Sequence, residues 1–359
     1  MKGRGLVRKW AALALLPLLM VPLLVLTMDR GEQQTAPAPP AARDSHPALF
    51  FDGKRFFDAV RSAESVAEPE GPVVGGIIPH HLLPGHLITG FFRGLAAGEA
   101  PETVILIGPN HDNEGRARAL TSKLPWRTPF GLVEPDRDII RALTATGLVA
   151  VEDAVLTTEH SVAGIMPAMK YYLPEARVVP IILSGEMDPA EAQRLGEALA
   201  ARWSDGTVFV ASVDFSHDLI QSQAERHDAL TLKALRETDA ATLFKLDNRY
   251  LDSPPAIATL MAAMTVLGAD HFVLLENTNS GALLNDELAP TTSYVLGYYR
   301  PGGLPIELAA LRDCPESPRD GSRFLPSGVS VPGYDQVGSD ADEDGSGCQW
   351  LTPPLPGTP

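Results

Sequence analysis

The chain has 359 residues, with 45 acidic against 29 basic side chains and a formal net charge of -16. That balance excludes nucleic acid as a partner, because phosphates select basic surfaces. The two cysteines, Cys314 and Cys348, lie outside the presumed core, so neither a thiol-rich metal site nor a cysteine nucleophile is expected within it.

In chain order, residues 1–30 address the protein rather than build a fold. Lys2, Arg4, Arg8 and Lys9 precede an apolar run from Trp10 to Met28, long enough to cross a bilayer as a helix. The expectation is a membrane anchor over 11–28, with the following domain outside the cytoplasm. The alternative is a cleaved signal peptide and a secreted product, although Val25-Leu26-Thr27-Met28-Asp29-Arg30 is a poor cleavage site. Residues 31–45, rich in Ala, Pro and Gln, read as a linker, and 46–302 as one domain. Residues 303–359 carry Pro, Gly, Ser and the acidic run Asp340-Ala341-Asp342-Glu343-Asp344, and are expected to be a disordered tail. Cys314 and Cys348 either pair in an exported compartment or stay free or intermolecularly bonded.

Within the domain, short apolar runs alternate with helical periodicity. Strands are expected at Val73 to Ile78, Val104 to Ile107, Val178 to Leu183, Val208 to Val213, Phe272 to Leu275 and Tyr294 to Tyr299. Helices are expected at Leu87 to Ala97, Asp136 to Ala145, Ser161 to Tyr172, Pro189 to Ala201, Glu225 to Glu237 and Ala256 to Leu267. Alternation of this kind predicts an α/β fold of three layers, a central mostly parallel or mixed sheet with helices on both faces.

Three of the runs break off into polar residues: Pro79-His80-His81, Gly108-Pro109-Asn110-His111 and Asp214-Phe215-Ser216-His217. Ligands of parallel sheets bind beyond the carboxyl ends of the strands, so His80, His111, Asp214 and His217 are expected to converge on a metal or acid/base site. A lone histidine after a strand is more often a turn residue. His80 and His111 stand apart because the same proline-braced arrangement occurs twice. Asp214 and His217 form either an acid/base pair, the carboxylate fixing the ring's tautomer, or a serine-capped turn. In Thr158-Glu159-His160-Ser161, Ser161 either caps the next helix or the segment places His160 at the mouth of the site. His86 reads as a polar helix-start residue, with the site entrance as the alternative.

Taken in order, P-H, I-L-I-G-P-N-H, T-P-F-G, E-H-S, P-I-I-L-S-G and S-V-D-F-S-H resemble the Memo family, also called AmmeMemoRadiSam system protein B, over about residues 72 to 299. The resemblance implies a fold similar to LigB-type class III extradiol dioxygenases. It also implies metal ligands at His80 and His111, and proton-handling residues at Asp214 and His217. The family's third ligand, a cysteine ahead of a helix, falls on Asp252 in Tyr250-Leu251-Asp252-Ser253-Pro254-Pro255. The bland alternative is that Asp252 only caps that helix.

Two histidines and one carboxylate suit Fe(II), and accommodate Cu, Mn(II) or Zn(II) as well. Ala163 stands where the family usually has a glutamate, so substrate contacts do not carry over. The expected function is a metal-dependent oxidoreductase of dioxygenase type, with His217, Asp214 and His160 as acid/base residues. The alternatives are a metal-dependent hydrolase, or a metal- or partner-binding module without turnover.

Overall fold

Buried β-branched runs cannot leave their backbone N–H and C=O groups unpaired, and here they satisfy one another across a single sheet. The computed structural model describes residues 44–301, and the backbone of the short segments 323–326, 335–336 and 348–352. Between residues 44 and 301 the strands are β1 (Gly75–Ile78), β2 (Thr103–Asn110), β3 (Ala119–Thr121), β4 (Trp126–Thr128), β5 (Gly131–Val133), β6 (Ala150–Val151), β7 (Arg177–Ser184), β8 (Thr207–Ser212), β9 (His271–Asn279) and β10 (Ser293–Arg300). The helices are α1 (Gly53–Ser62), α2 (Gly85–Ala97), α3 (Arg137–Ala145), α4 (Asp153–Thr158), α5 (His160–Ala163), α6 (Met166–Tyr172), α7 (Pro189–Ala200), α8 (Gln221–Arg236), α9 (Ala240–Leu243), α10 (Pro254–Val266) and α11 (Ser280–Leu284).

Eight strands form one mixed sheet in the order β6-β3-β7-β2-β8-β1-β10-β9. The central four, β7, β2, β8 and β1, are mutually parallel, while β10 joins β1 and β3 joins β7 antiparallel. Alternate side chains of these strands enter opposite apolar layers. Ile105, Val179 and Phe209 pack with Leu195 of α7 and Leu260 of α10, whereas Leu106, Val178 and Val208 pack with Phe91 of α2 and Met169 of α6. This double coverage is why the strands read as unbroken apolar runs rather than alternating ones. Each fully buried aliphatic side chain contributes about 1.5–3 kcal/mol to that core.

Register places the site. Ile78 stands opposite Ser212, and Ile107 opposite Ala211, so β1, β2 and β8 run out at one edge and deliver His80, His111 and Asp214 there. The fold class expected from the sequence is the one observed. One helix differs: the stretch Ser161 to Tyr172 is two helices, α5 and α6, broken at Gly164 and Ile165. Pro167 has no N–H to donate into a continuous helix and sits instead in the first turn of α6. The elements missing from the sequence reading are α1 and the short pieces β3, β4, β5, β6, α4, α9 and α11, several of two to six residues. Such pieces are too brief to display a period.

The membrane-anchored, extracytoplasmic placement is not borne out. No helix among the described residues is long and apolar enough to cross a membrane, and the segment 11–28 on which the expectation rests lies outside those residues. The signal-peptide alternative and the linker up to Arg43 also lie outside them. In the segment expected to be a disordered tail, β11 (Arg323–Pro326), β12 (Asp335–Gln336) and β13 (Cys348–Thr352) pair antiparallel in the order β11-β13-β12. Cys314 falls outside the described residues, so its pairing with Cys348 has no structural counterpart.

Helices α7 and α10 touch at Gly196. A Cβ there would stand 2.5 Å from Ala262 Cβ, 2.6 Å from Thr259 O and 3.0 Å from Ala263 N, two of them backbone atoms that cannot rotate away. Gly196→Ala is therefore expected to push the helices apart and cost about 1–3 kcal/mol, read as a lower midpoint in urea unfolding. An unchanged midpoint would show that the contact is looser than this spacing implies.

Candidate metal centre

The two histidines that end β1 and β2 are each held by one ring nitrogen. His80 Nδ1 lies 3.1 Å from Ser212 O, an acceptor only, so this nitrogen carries the proton and donates. His111 Nδ1 lies 2.9 Å from Glu159 Oε1, and the His111 backbone N–H donates to the other oxygen of the same carboxylate at 2.9 Å. Glu159 also accepts from Ser161 N at 2.8 Å, so it caps α5 and orients His111 together. Both rings consequently turn Nε2 toward the same point.

That point is Asp252. Its Oδ2 lies 3.2 Å from His80 Nε2 and 3.8 Å from His111 Nε2. Asp252 does not cap α10; Ser253 does, accepting from Ala256 N at 3.2 Å, with Pro254 and Pro255 in the first turn. The carboxylate is thereby released toward the histidines. Its backbone is pinned to the β8 exit, since Asp252 N donates to Asp214 O at 3.1 Å while Asp214 N donates to Asp252 Oδ2 at 3.3 Å.

Asp214 lies beneath the β1 exit. Its Oδ1 accepts from the backbone N–H of His80 at 3.0 Å and of His81 at 3.4 Å, and its Oδ2 stands 3.6 Å from His80 Nε2. His160 stacks on His111 with ring centroids 4.2 Å apart and meets the His80 ring edge-on at 5.1 Å. His80, His111 and His160, and likewise His80, Asp214 and Asp252, offer donor atoms within 4.8 Å of one another.

Burial makes the charges interdependent. The side chains of His80, Asp214 and Asp252 are 2%, 4% and 6% exposed. Desolvation works against the charged form of His80, but Asp214 and Asp252 outweigh it and raise its pKa to about 9. Desolvation also opposes the charged form of His111, but the adjacent Asp252 and Glu159 carboxylates, Glu159 accepting from its Nδ1, outweigh it and raise the pKa to about 10. The two histidines hold Asp252 far below the usual carboxylate range, despite burial. Asp214 moves the other way, pushed up by burial and by the Asp252 charge. His160, desolvated and facing the positive His111 and His80, falls to about 4 and is neutral at pH 7.

All six residues expected from the sequence are thus brought to one edge of the sheet, but one expected pair is not formed. Asp214 makes no hydrogen bond to His217, whose Nδ1 is buried without a hydrogen-bond partner. The strand-end backbone of β1 claims the Asp214 carboxylate first. The carboxylate that does orient a histidine is Glu159, which the sequence reading left outside the site. Its signal was present in Glu159-His160-Ser161, a helix cap whose acceptor has a second oxygen to spare. His86, at the start of α2, also lines the cavity outside His80.

Two distances and one orphan atom test the fit of a metal. Donors sharing one first-row ion at about 2.0–2.2 Å stand about 3.0–3.5 Å apart; the 3.2 Å from Asp252 Oδ2 to His80 Nε2 falls within that range, and the 3.8 Å to His111 Nε2 lies just beyond it. Asp252 Oδ1 is buried with no hydrogen-bond partner, an arrangement a bound cation would relieve. Among the described residues, the groups whose donors lie close enough together for one divalent ion are His80 with Asp214 and Asp252, and His80 with His111 and His160; Asp252 and His111 belong to different groups.

A description of Memo-like proteins matches residues 61–298. A protein of Methanopyrus kandleri named as a MEMO1 family protein is 31% identical over 242 residues, covering 64% of this chain and 83% of its own. One of Aeropyrum pernix, named likewise, is 29% identical over 277 residues, 71% of this chain and 96% of its own. Among solved structures, an uncharacterised protein of Escherichia coli K12 matches 62% of this chain and all of its own, with 11% identity and a TM-score of 0.43.

Glu159→Gln is expected to lower the His111 pKa from about 10 in metal-free protein, because the charge and one strong acceptor are lost while the shape is kept. The midpoint of the His111 ring protons in an NMR titration reads this directly. A midpoint that stays where it is would assign the shift to Asp252 alone.

Proposed function

The chain belongs to the family of Memo-like proteins, and from that membership and the geometry of the strand-end cluster we propose that it is a metalloprotein whose centre is His80, His111 and Asp252. The observation that carries this reading is the convergence of two oriented Nε2 atoms on one buried, partly unsatisfied carboxylate. Ser212 O and Glu159 act as the outer partners that fix tautomer and ring direction. A ligand set of two histidines and one carboxylate favours Fe(II) and accommodates Cu, Mn(II) or Zn(II).

A divalent ion bound there would supply Lewis-acid or redox capacity to a ligand on its open side. The chain supplies the proton inventory. His160, neutral at pH 7, lines the cavity and can accept a proton from a ligand hydroxyl. Asp214, its pKa raised by burial, lies beneath His80, and His217 lies in the same electrostatic field. Burial and neighbouring charge drive the two carboxylates apart, Asp252 downward and Asp214 upward, which suits Asp252 to the ligand role. We favour oxidoreductase chemistry of the extradiol-dioxygenase type, supported by Asp252 standing where the resemblance leads one to expect cysteine.

Anaerobic metal analysis of the purified protein, then oxygen uptake with a panel of catechols, tests the reading. Iron retained with catechol-dependent uptake is the expected result. Zinc retained, with ester hydrolysis and no uptake, would favour the hydrolase alternative instead. Asp252→Ala is expected to weaken metal binding by about 100-fold or more, and Glu159→Gln by about tenfold. Wild-type metal content in Asp252→Ala would remove the carboxylate from the ligand set.

Metal affinity is also expected to rise with pH. With pKa values of about 9 and 10, His80 and His111 are protonated at pH 7 in the metal-free protein, so an ion must displace a proton from each Nε2. Calorimetry in two buffers of different ionisation enthalpy should show close to two protons released per ion at pH 7, fewer above pH 10. Release of none at pH 7 would show that the ion binds elsewhere.

A further inference from the structure

The space outside the centre is divided by chemistry. A cavity of about 660 Å³ reaches the centre at His80 and His160. A second, of about 260 Å³, is walled by Phe50, Phe51, Phe56, Ile88 and Pro167. The two are contiguous, since Phe50, Arg55, Ala59, Leu82, Gly85 and Gly164 line both. Their combined size suits a small organic molecule.

The charge at the junction is positive, in a chain whose net charge is -16. Arg55 is exposed there, and its guanidinium makes no ion pair or hydrogen bond among the described residues. The nearby carboxylates are already engaged. Asp58 pairs with Lys54 at 2.8 Å and with Arg61, and Asp52 caps α1 by accepting from Arg55 N at 2.8 Å. The larger cavity's other ionisable groups are the histidines His80, His81, His86 and His160. One unengaged planar fork beside an aromatic recess matches one carboxylate on an apolar body.

We infer that the ligand of this site is a small organic acid with an aryl or alkyl body. The body fills the recess of Phe50, Phe51 and Phe56, the carboxylate pairs with Arg55, and the polar remainder extends through the larger cavity toward His80 and His160. Only that last element rests on the metal reading. Phe50, Phe51, Arg55, Phe56 and Ala59 all precede residues 61–298, the part matched by the Memo-like description, so this selectivity would come from α1 and the residues leading into it.

The test uses the full chain and two probes of one shape, 4-phenylbutyrate and 4-phenylbutan-1-ol, titrated by calorimetry or ligand-observed NMR. Wild type is expected to bind the acid about fivefold more tightly than the alcohol, a modest preference because Arg55 is exposed. Arg55→Gln should abolish the preference without weakening the alcohol, Arg55→Lys should retain part of it, and Phe51→Ala should weaken both probes together. Equal affinities in wild type, or an unchanged preference in Arg55→Gln, would overturn the inference. Metal content measured on each preparation separates the two readings. Metal lost in Asp252→Ala with no acid preference in wild type overturns only the ligand class. An Arg55-dependent preference in protein that binds no metal supports the ligand class and overturns the metal centre.

Discussion

A buried carboxylate between two imidazoles is the constraint around which the rest of this molecule is arranged. Asp252 is almost wholly removed from water, and an uncompensated anion there would cost several kcal/mol. Its neighbours meet that demand from three directions: His80 from the end of β1, His111 from the end of β2, and the Asp214 backbone N–H from the end of β8. Withdrawing any one of them would leave part of that charge uncompensated. The parallel centre of the sheet supplies the rigidity, because its strands are packed on both faces and held in one register.

Helix termini do the remaining positioning. Ser253 takes the capping role at α10, which leaves the adjacent Asp252 free to serve the site. Glu159 caps α5 with one oxygen while accepting from both the ring and the backbone of His111. Each device satisfies an orphan N–H of a helix and aims a functional group, so local stability and site geometry are coupled. Behind the β8 exit, a second buried carboxylate, Asp228, accepts from Ser216 Oγ at 2.7 Å and Ser293 Oγ at 2.6 Å and from Asn277 Nδ2 at 2.9 Å. That network ties the Asp214 to His217 loop to β9 and β10.

The site is also chemically graded. Its inner part is a cluster of mutually dependent charges, its mouth a neutral histidine, and its outer wall an aromatic recess with one unengaged guanidinium. The inner part lies within the residues matched to Memo-like proteins, and much of the outer wall precedes them.

Much of this was legible in the residues themselves. Unbroken β-branched runs report strands buried on both faces, since nothing polar survives between two apolar layers, and their polar exits report the sheet edge where a site can form. The helix expected from Pro189 begins there as α7, with Asp188 accepting from Glu191 N at its start. What the sequence could not decide was partnership. Asp214 and His217 are three residues apart, yet Asp214 serves the backbone of a different strand, because the parallel pairing of β1 with β8 brings His80 N closer than the His217 ring. Glu159 and His111 are 48 residues apart, and only the packing of α5 against the end of β2 makes them one unit. Likewise α1 carries no buried residue of its own, so its part in the cavity wall arises only from the surface on which it lies. Period and composition record what each segment must bury, whereas which carboxylate meets which imidazole depends on contacts between segments far apart in the chain, and those are set by the fold alone.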